Sequence, residues 1–241
     1  RVTLWLRDEK VEGKYASLML SAIMNETHVN VKYLPGINLP HNLAKAAHEA
    51  TLVIFAVPQQ FNHRALFVKI LSGCSPNVRF LSLVKGLSFK TLMNTETDPV
   101  TQVSSDVTQL VPTLVSQQIR TETHGASTSV LMGANIASQV ARDEFCEATI
   151  GISDSEDGEV WFRLLNRPHF RVNVVMDVEG VELCGGLRFI VALGAGFCDG
   201  AKLGSNSKAA VVRIGLEELR RFGTYVFSAK DATFFESCGV G

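Results

Sequence analysis

Short, strongly apolar runs alternate with longer helical patterns over the first two thirds of the chain, and this alternation constrains the fold more than any other feature. The runs at residues 2–6, 52–57, 79–84, 129–132, 149–152 and 170–175 are rich in Val, Ile, Leu or Phe, and few show polar alternation. Strands covered by helices on both faces read this way. Helical patterns at 10–24, 59–71 and 156–165 fall between them. The expectation is an α/β architecture with a doubly wound parallel sheet.

The pattern changes near residue 176. From 177 to 203, and again from 208 to 227, apolar residues recur at helical spacing without strand punctuation. We therefore expect two domains, 1–176 built on the sheet and 177–241 all helical. The polar, Thr- and Ser-rich stretch 90–125 reads as a long surface excursion with one helix around 103–118.

Charge and composition narrow the function classes. The formal net charge is −1, hydrophobic residues make up 46% and charged residues 20%. With acids and bases interspersed, nothing favours a nucleic-acid partner or a membrane surface. No apolar run is expected to reach the ~18 residues of a membrane span; 52–57 and 190–198 read as core segments. Cys74, Cys146, Cys184, Cys198 and Cys238 lack paired spacing and read as reduced, buried thiols. The six histidines show no ligand spacing, so no metal is expected.

Three motifs stand where open α/β sheets bind ligands, at the carboxyl ends of strands. The first is the run 52–57 ending in Pro58, followed by Gln59-Gln60-Phe61. The second is Lys85-Gly86, where a cation can hold an anion and the glycine lets the backbone turn closely. The third is Val130-Leu131-Met132-Gly133-Ala134-Asn135-Ile136-Ala137-Ser138, a strand end, a glycine, an amide and a small-residue helix start. Plain strand–turn–helix packing is the structural alternative for each. Gly194-Ala195-Gly196-Phe197-Cys198-Asp199-Gly200 imitates a dinucleotide fingerprint, but its spacing is GxGxxxG inside a helical pattern. There, small residues serve close helix packing.

Several long runs resemble one family: Asn30-Val31-Lys32-Tyr33-Leu34-Pro35-Gly36, Phe145-Cys146-Glu147, Val181-Glu182-Leu183-Cys184-Gly185 and Phe235-Glu236-Ser237-Cys238-Gly239-Val240, with Trp5 and the motifs above. On these the chain is similar to NAD-dependent glycerol-3-phosphate dehydrogenase of the eukaryotic cytosolic type. The resemblance implies a Rossmann-like domain followed by part of an all-α C-terminal domain. It implies NAD as cofactor, hydride transfer between NAD(H) and glycerol 3-phosphate or dihydroxyacetone phosphate, a cytoplasmic location and a homodimer. It places Phe61, Asn135, Ala137 and Arg7 at the cofactor and Lys85 at the substrate. Asp8-Glu9 beside Arg7 are suited to the ribose of NAD, while Arg7 suits a 2′-phosphate.

The departures carry equal weight. The family has Lys-Asn where this chain reads Arg188-Phe189, and the lysine is its general base. A guanidinium with a pKa above ~12 cannot accept a proton near neutrality. The phosphate-cradling GxGxxG is absent, and so is the Arg-Asn motif that follows an Asp beyond the position of Gly241. The expectation is a family member incomplete at both ends, with its first strand and glycine-rich turn missing. The alternative is a diverged or fragmentary member that has lost catalysis and retains only binding or interaction.

Overall fold

The computed structural model describes residues 18–27, 32, 50–56, 70, 74–97 and 104–241. After helix α1 (Leu20–Thr27), the described strands are β1 (Leu52–Phe55), β2 (Arg79–Ser82), β3 (Leu87–Thr97), β4 (Ser104–Leu114), β5 (Thr128–Gly133), β6 (Cys146–Gly151) and β7 (Phe170–Val175). Helices α2 (Val115–Glu122), α3 (Ala137–Val140), α4 (Ser155–Leu165), α5 (Val178–Gly200) and α6 (Gly204–Phe227) follow in chain order, with a 3-10 turn at Asp231–Phe235. The run at 2–6 and most of the helical pattern at 59–71 lie outside the described residues.

Five strands form one sheet in the order β1-β2-β5-β6-β7. β1 and β2, β2 and β5, and β6 and β7 pair in parallel, but β5 and β6 are antiparallel. The expected doubly wound parallel sheet thus carries one antiparallel pair. The reason is the short link between β5 and β6, which contains only the four-residue α3. The other eight residues of the link are turn and irregular backbone, and a helix of about 6 Å cannot cover a strand of about 20 Å as a crossover helix does. The chain turns back beside the strand it leaves.

The stretch 90–125 requires a larger correction. The described residues 104–114 are not helical; instead β3 and β4 form an antiparallel ribbon with Leu87 opposite Leu114 and Thr97 opposite Ser104. Helix begins only at Val115. The threonines and valines that gave the stretch its weak helical pattern favour extended backbone. Pro112, which has no N–H to donate, fits a two-stranded ribbon whose outer edges carry no ladder.

Side-chain alternation along β5 divides the core between the sheet's two faces. Val130 and Met132 join Val181, Leu183, Leu219 and Phe234 beneath α5 and α6. Leu131 faces the other way, with Ile150, Val172 and the fully buried Trp161 of α4. Phe55 and Phe80 stack at 5.5 Å in a third cluster with Val115 and Ile119. Burying a side chain of this class contributes about 1.5–3 kcal/mol.

Helix α5 corrects a further expectation. By length and composition it could cross a membrane, with mean hydropathy 1.6 over its most apolar window. Glycines and alanines among its larger apolar residues disguise the run in the sequence. Its first two turns are buried all round against the sheet, as in the core helix of a globular domain. Its second half exposes Phe189, Ile190, Leu193 and Phe197. Within the glycine-rich run, Gly194 lies against Val211 of α6, whereas Gly196 and Gly200 face open space.

Candidate functional site

Two cations from distant parts of the chain meet at the carboxyl end of β5. Lys85 stands three residues beyond β2, in the link to the ribbon. Gly86 allows that link to turn, since its φ of 136° is closed to ordinary side chains. Lys85 Nζ lies 3.4 Å from the carbonyl oxygen of Gly133 and 5.5 Å from the centre of the Phe189 ring. Arg188 reaches the same carbonyl from α5, with Nη2 donating to Gly133 O at 2.6 Å.

The remaining donors of Arg188 are also engaged by main chain. Nη1 lies 3.4 Å from Ser237 O, 3.3 Å from Cys238 O and 3.2 Å from Gly241 O. The guanidinium thus ties the end of β5 to the segment after the 3-10 turn. That segment is itself held to β6: Thr149 Oγ1 and Ser237 Oγ are 2.9 Å apart, and Cys238 N donates to Thr149 Oγ1 at 3.3 Å. The Cys184 thiol is pushed up by its hydrogen bond to Cys238, and the same bond holds the Cys238 thiol down. Both sulfurs are fully buried, and all five cysteines are free thiols; Cys74 and Cys146 are only half-buried.

Among the described residues, neither Lys85 nor Arg188 has an Asp or Glu carboxylate within ion-pairing distance. Burial pushes the Lys85 amine down, and the positive charge of Arg188 pushes it further. Both causes disfavour the protonated form. Two cations sharing one neutral carbonyl are suited to receive an anion or an oxygen on which negative charge develops.

Gly133 must lack a side chain. A Cβ there would come within 2.6 Å of both Asn135 Oδ1 and Glu147 O. Asn135 sends its amide nitrogen to Glu147 O at 2.9 Å, so its side chain fastens the β5–β6 turn. Ala137 opens α3 and is exposed, as are Ala134 and Ile136. The structure therefore brings Lys85, Arg188 and the Gly133–Ala137 turn to one end of the sheet. Phe61 and Arg7 lie outside the described residues. Among the described residues, no cluster of three His, Cys, Asp or Glu side chains could hold a metal ion.

Two anchors escaped the sequence reading. Asp177 caps α5 by accepting from Gly180 N at 2.9 Å, and it also takes Lys230 N at 2.8 Å and Thr233 Oγ1 at 2.6 Å. Glu182, 1% exposed, accepts from Val115 N at 2.7 Å, from Ser116 N at 3.2 Å, and from the Ser116 hydroxyl. Burial drives its carboxyl up to about 7. The available signal was an acid within Val181-Glu182-Leu183-Cys184, because a charge in an apolar helical run needs a buried partner.

Comparison with known proteins places these features in context. The model of the NAD-dependent glycerol-3-phosphate dehydrogenase N-terminus matches residues 1–157, and that of the C-terminus matches 177–241. A glycerol-3-phosphate dehydrogenase 1-like protein of Danio rerio is 43% identical over 99% of this chain and 64% of its own length. The cytoplasmic NAD(+) glycerol-3-phosphate dehydrogenase of Homo sapiens is 40% identical over 100% of this chain and 64% of its own. The chain thus spans just under two thirds of these relatives. A solved glycerol-3-phosphate dehydrogenase of Plasmodium falciparum superposes with a TM-score of 0.80 at 33% identity, covering 98% of this chain and 61% of that one. One from Dunaliella salina gives 0.79 at 37% identity, covering 99% and 38% respectively.

Proposed function

The chain belongs to the NAD-dependent glycerol-3-phosphate dehydrogenase family, and on that premise we propose that the whole protein interconverts glycerol 3-phosphate and dihydroxyacetone phosphate with NAD(H). The observation that carries this reading is the convergence of Lys85 and Arg188 on Gly133 O, with no Asp or Glu side chain paired to them among the described residues. In the reductive direction the substrate carbonyl oxygen gains negative charge, and two fixed cations stabilise it before solvent can reorganise. Arg188 acts as the fixed charge. Lys85, whose amine is already disposed to lose its proton, delivers a proton to that oxygen or recovers one from it.

NAD supplies or accepts the hydride when bound. The exposed turn at Ala134, Ile136 and Ala137 suits it, because small residues at a strand's carboxyl end admit a flat ring to the backbone. Asn135 holds that turn through Glu147 O. Phe61 and Arg7 are assigned to the cofactor by family resemblance. Residues 1–176 form the nucleotide-binding part and 177–241 the helical substrate part. We assign the protein to the cytoplasm as a homodimer, with no nucleic-acid or membrane partner; the relatives' cytoplasmic names support the location.

One observation favours a second reading, a member that has lost turnover. Arg188 spends its guanidinium on four main-chain carbonyls, as a structural tie would. Purified full-length polypeptide mixed with NADH and dihydroxyacetone phosphate separates the two. Substrate-dependent NADH consumption supports the first reading. NADH binding without consumption supports the second, and neither binding nor consumption overturns both.

A further inference from the structure

We propose that Glu182 is a positioning residue for the Lys85–Arg188 pair, a carboxyl-to-backbone clasp that fixes the root of the β3–β4 ribbon on α5. This rests on the assignment of those two cations to the reacting site.

The geometry runs through three adjoining contacts. Leu87, two residues after Lys85, opens β3 and is paired with Leu114, the last residue of β4. The next two residues, Val115 and Ser116, are the ones Glu182 grips. One helical turn along the same face of α5 stands Gly186, where a Cβ would lie 3.2 Å from Gly86 N. The backbone beside Lys85 thus rests directly on α5, two residues before Arg188. The carboxyl grips one strand of the ribbon root and Gly186 supports the other. Together they set the depth at which α5 presents its guanidinium to Gly133 O.

A structural acid alone need not be ionisable, but this one changes charge in the working range of most enzymes. Burial is the main cause of its raised pKa, opposed by the Ser116 and Val115 hydrogen bonds and assisted by Glu179 one turn earlier on α5. Glu179 is the charged group acting on it from its own helix; α2 faces it with uncharged Val115 and Ser116. Val115 N, Ser116 N and the Ser116 hydroxyl all donate to this carboxyl, so as pH falls through about 7 protonation weakens their acceptor and loosens the clasp. A loosened clasp separates the cations, and the Lys85 amine returns toward its ordinary value.

The test reads Lys85 directly by acetylating full-length polypeptide and quantifying each lysine by mass spectrometry, with exposed Lys230 as internal reference. In the parent, the ratio of Lys85 to Lys230 labelling changes between about pH 6 and 8, the window of Glu182 ionisation. Glu182→Gln, nearly isosteric and never charged, abolishes that step while keeping the ratio low. Glu182→Leu breaks the clasp and lowers the ratio at neutral pH by about tenfold for each pKa unit Lys85 recovers. A merely structural glutamate would shift thermal stability and leave the ratio unmoved, and that result overturns the proposal. A step that persists in Glu182→Gln overturns it equally, and this variant decides the matter if Glu182→Leu fails to fold. Labelling needs no turnover, so an inactive protein refutes the proposed reaction without touching this measurement.

Discussion

β2 carries a cation at each end of its path, and the two are treated in opposite ways. Arg79, its first residue, is held by Asp157 and Glu156, each at 2.6 Å, beside an open cleft lined also by Arg120 and Ser127. The Ser127 hydroxyl closes on Asp157 as well, so the charges there are spent on one another. Lys85, just beyond the other end, faces Arg188 and a neutral carbonyl. The first arrangement joins α4 to the start of β2. The second leaves two like charges on one neutral carbonyl, the arrangement on which the proposed function rests.

The largest expected effect breaks that contrast at the functional end. Lys85→Met should lower kcat/KM for dihydroxyacetone phosphate reduction by about 10²–10³-fold, the scale of removing one preorganised charge from a developing oxyanion. Steady-state rates check this, and a loss below about threefold would refute the assignment.

Next comes the buried acid, which sharpens the comparison by supplying a charge without a counterion. The carboxyl of Glu182 sits at about 7 in the folded chain against an ordinary 4.5. Between these values the unfolded state releases its proton first, so the parent loses stability as pH rises through this window. Glu182→Gln escapes that loss. Its stability relative to the parent should therefore rise between about pH 5 and 8, by on the order of 3 kcal/mol if the full shift is expressed. Chemical denaturation at the two pH values measures it, and a pH-independent difference would contradict it.

Third, Arg188→Lys replaces a permanent cation with one that can exchange a proton. If Arg188 limits turnover, kcat should rise by about 100-fold, the scale of general acid–base catalysis. Equal rates would show that Lys85 alone suffices. The smallest effect belongs to the paired end. Asp157→Asn weakens the tie to Arg79 and should cost about 1–2 kcal/mol of stability, since the aspartate is buried but Arg79 is only partly so. Activity per folded molecule should not change, as assayed after measuring the folded fraction.

Legibility in the sequence followed the range of the interactions. The strand at 170–175 could be placed to the residue because its Val and Phe content declares an extended, covered segment. The ribbon at Leu87–Leu114 was misread because a threonine-rich stretch gains its strand identity from the partner strand. In the site, Lys85 and Arg188 stood out as residue types at strand-end and helix positions. That both would take the same oxygen of Gly133 was invisible, since no local pattern specifies a meeting of three separate elements.

The sequence alone determined the family, the α/β architecture and the identity of the two cations, because these depend on residue order and on local apolar patterning. Tertiary structure decided which charges are neutralised. Arg79 and Lys85 lie six residues apart along one strand path, yet only α4 brings carboxylates to the first, and α5 brings a second cation to the other. Charge pairing operates over a few ångströms in space, and the fold alone sets those distances.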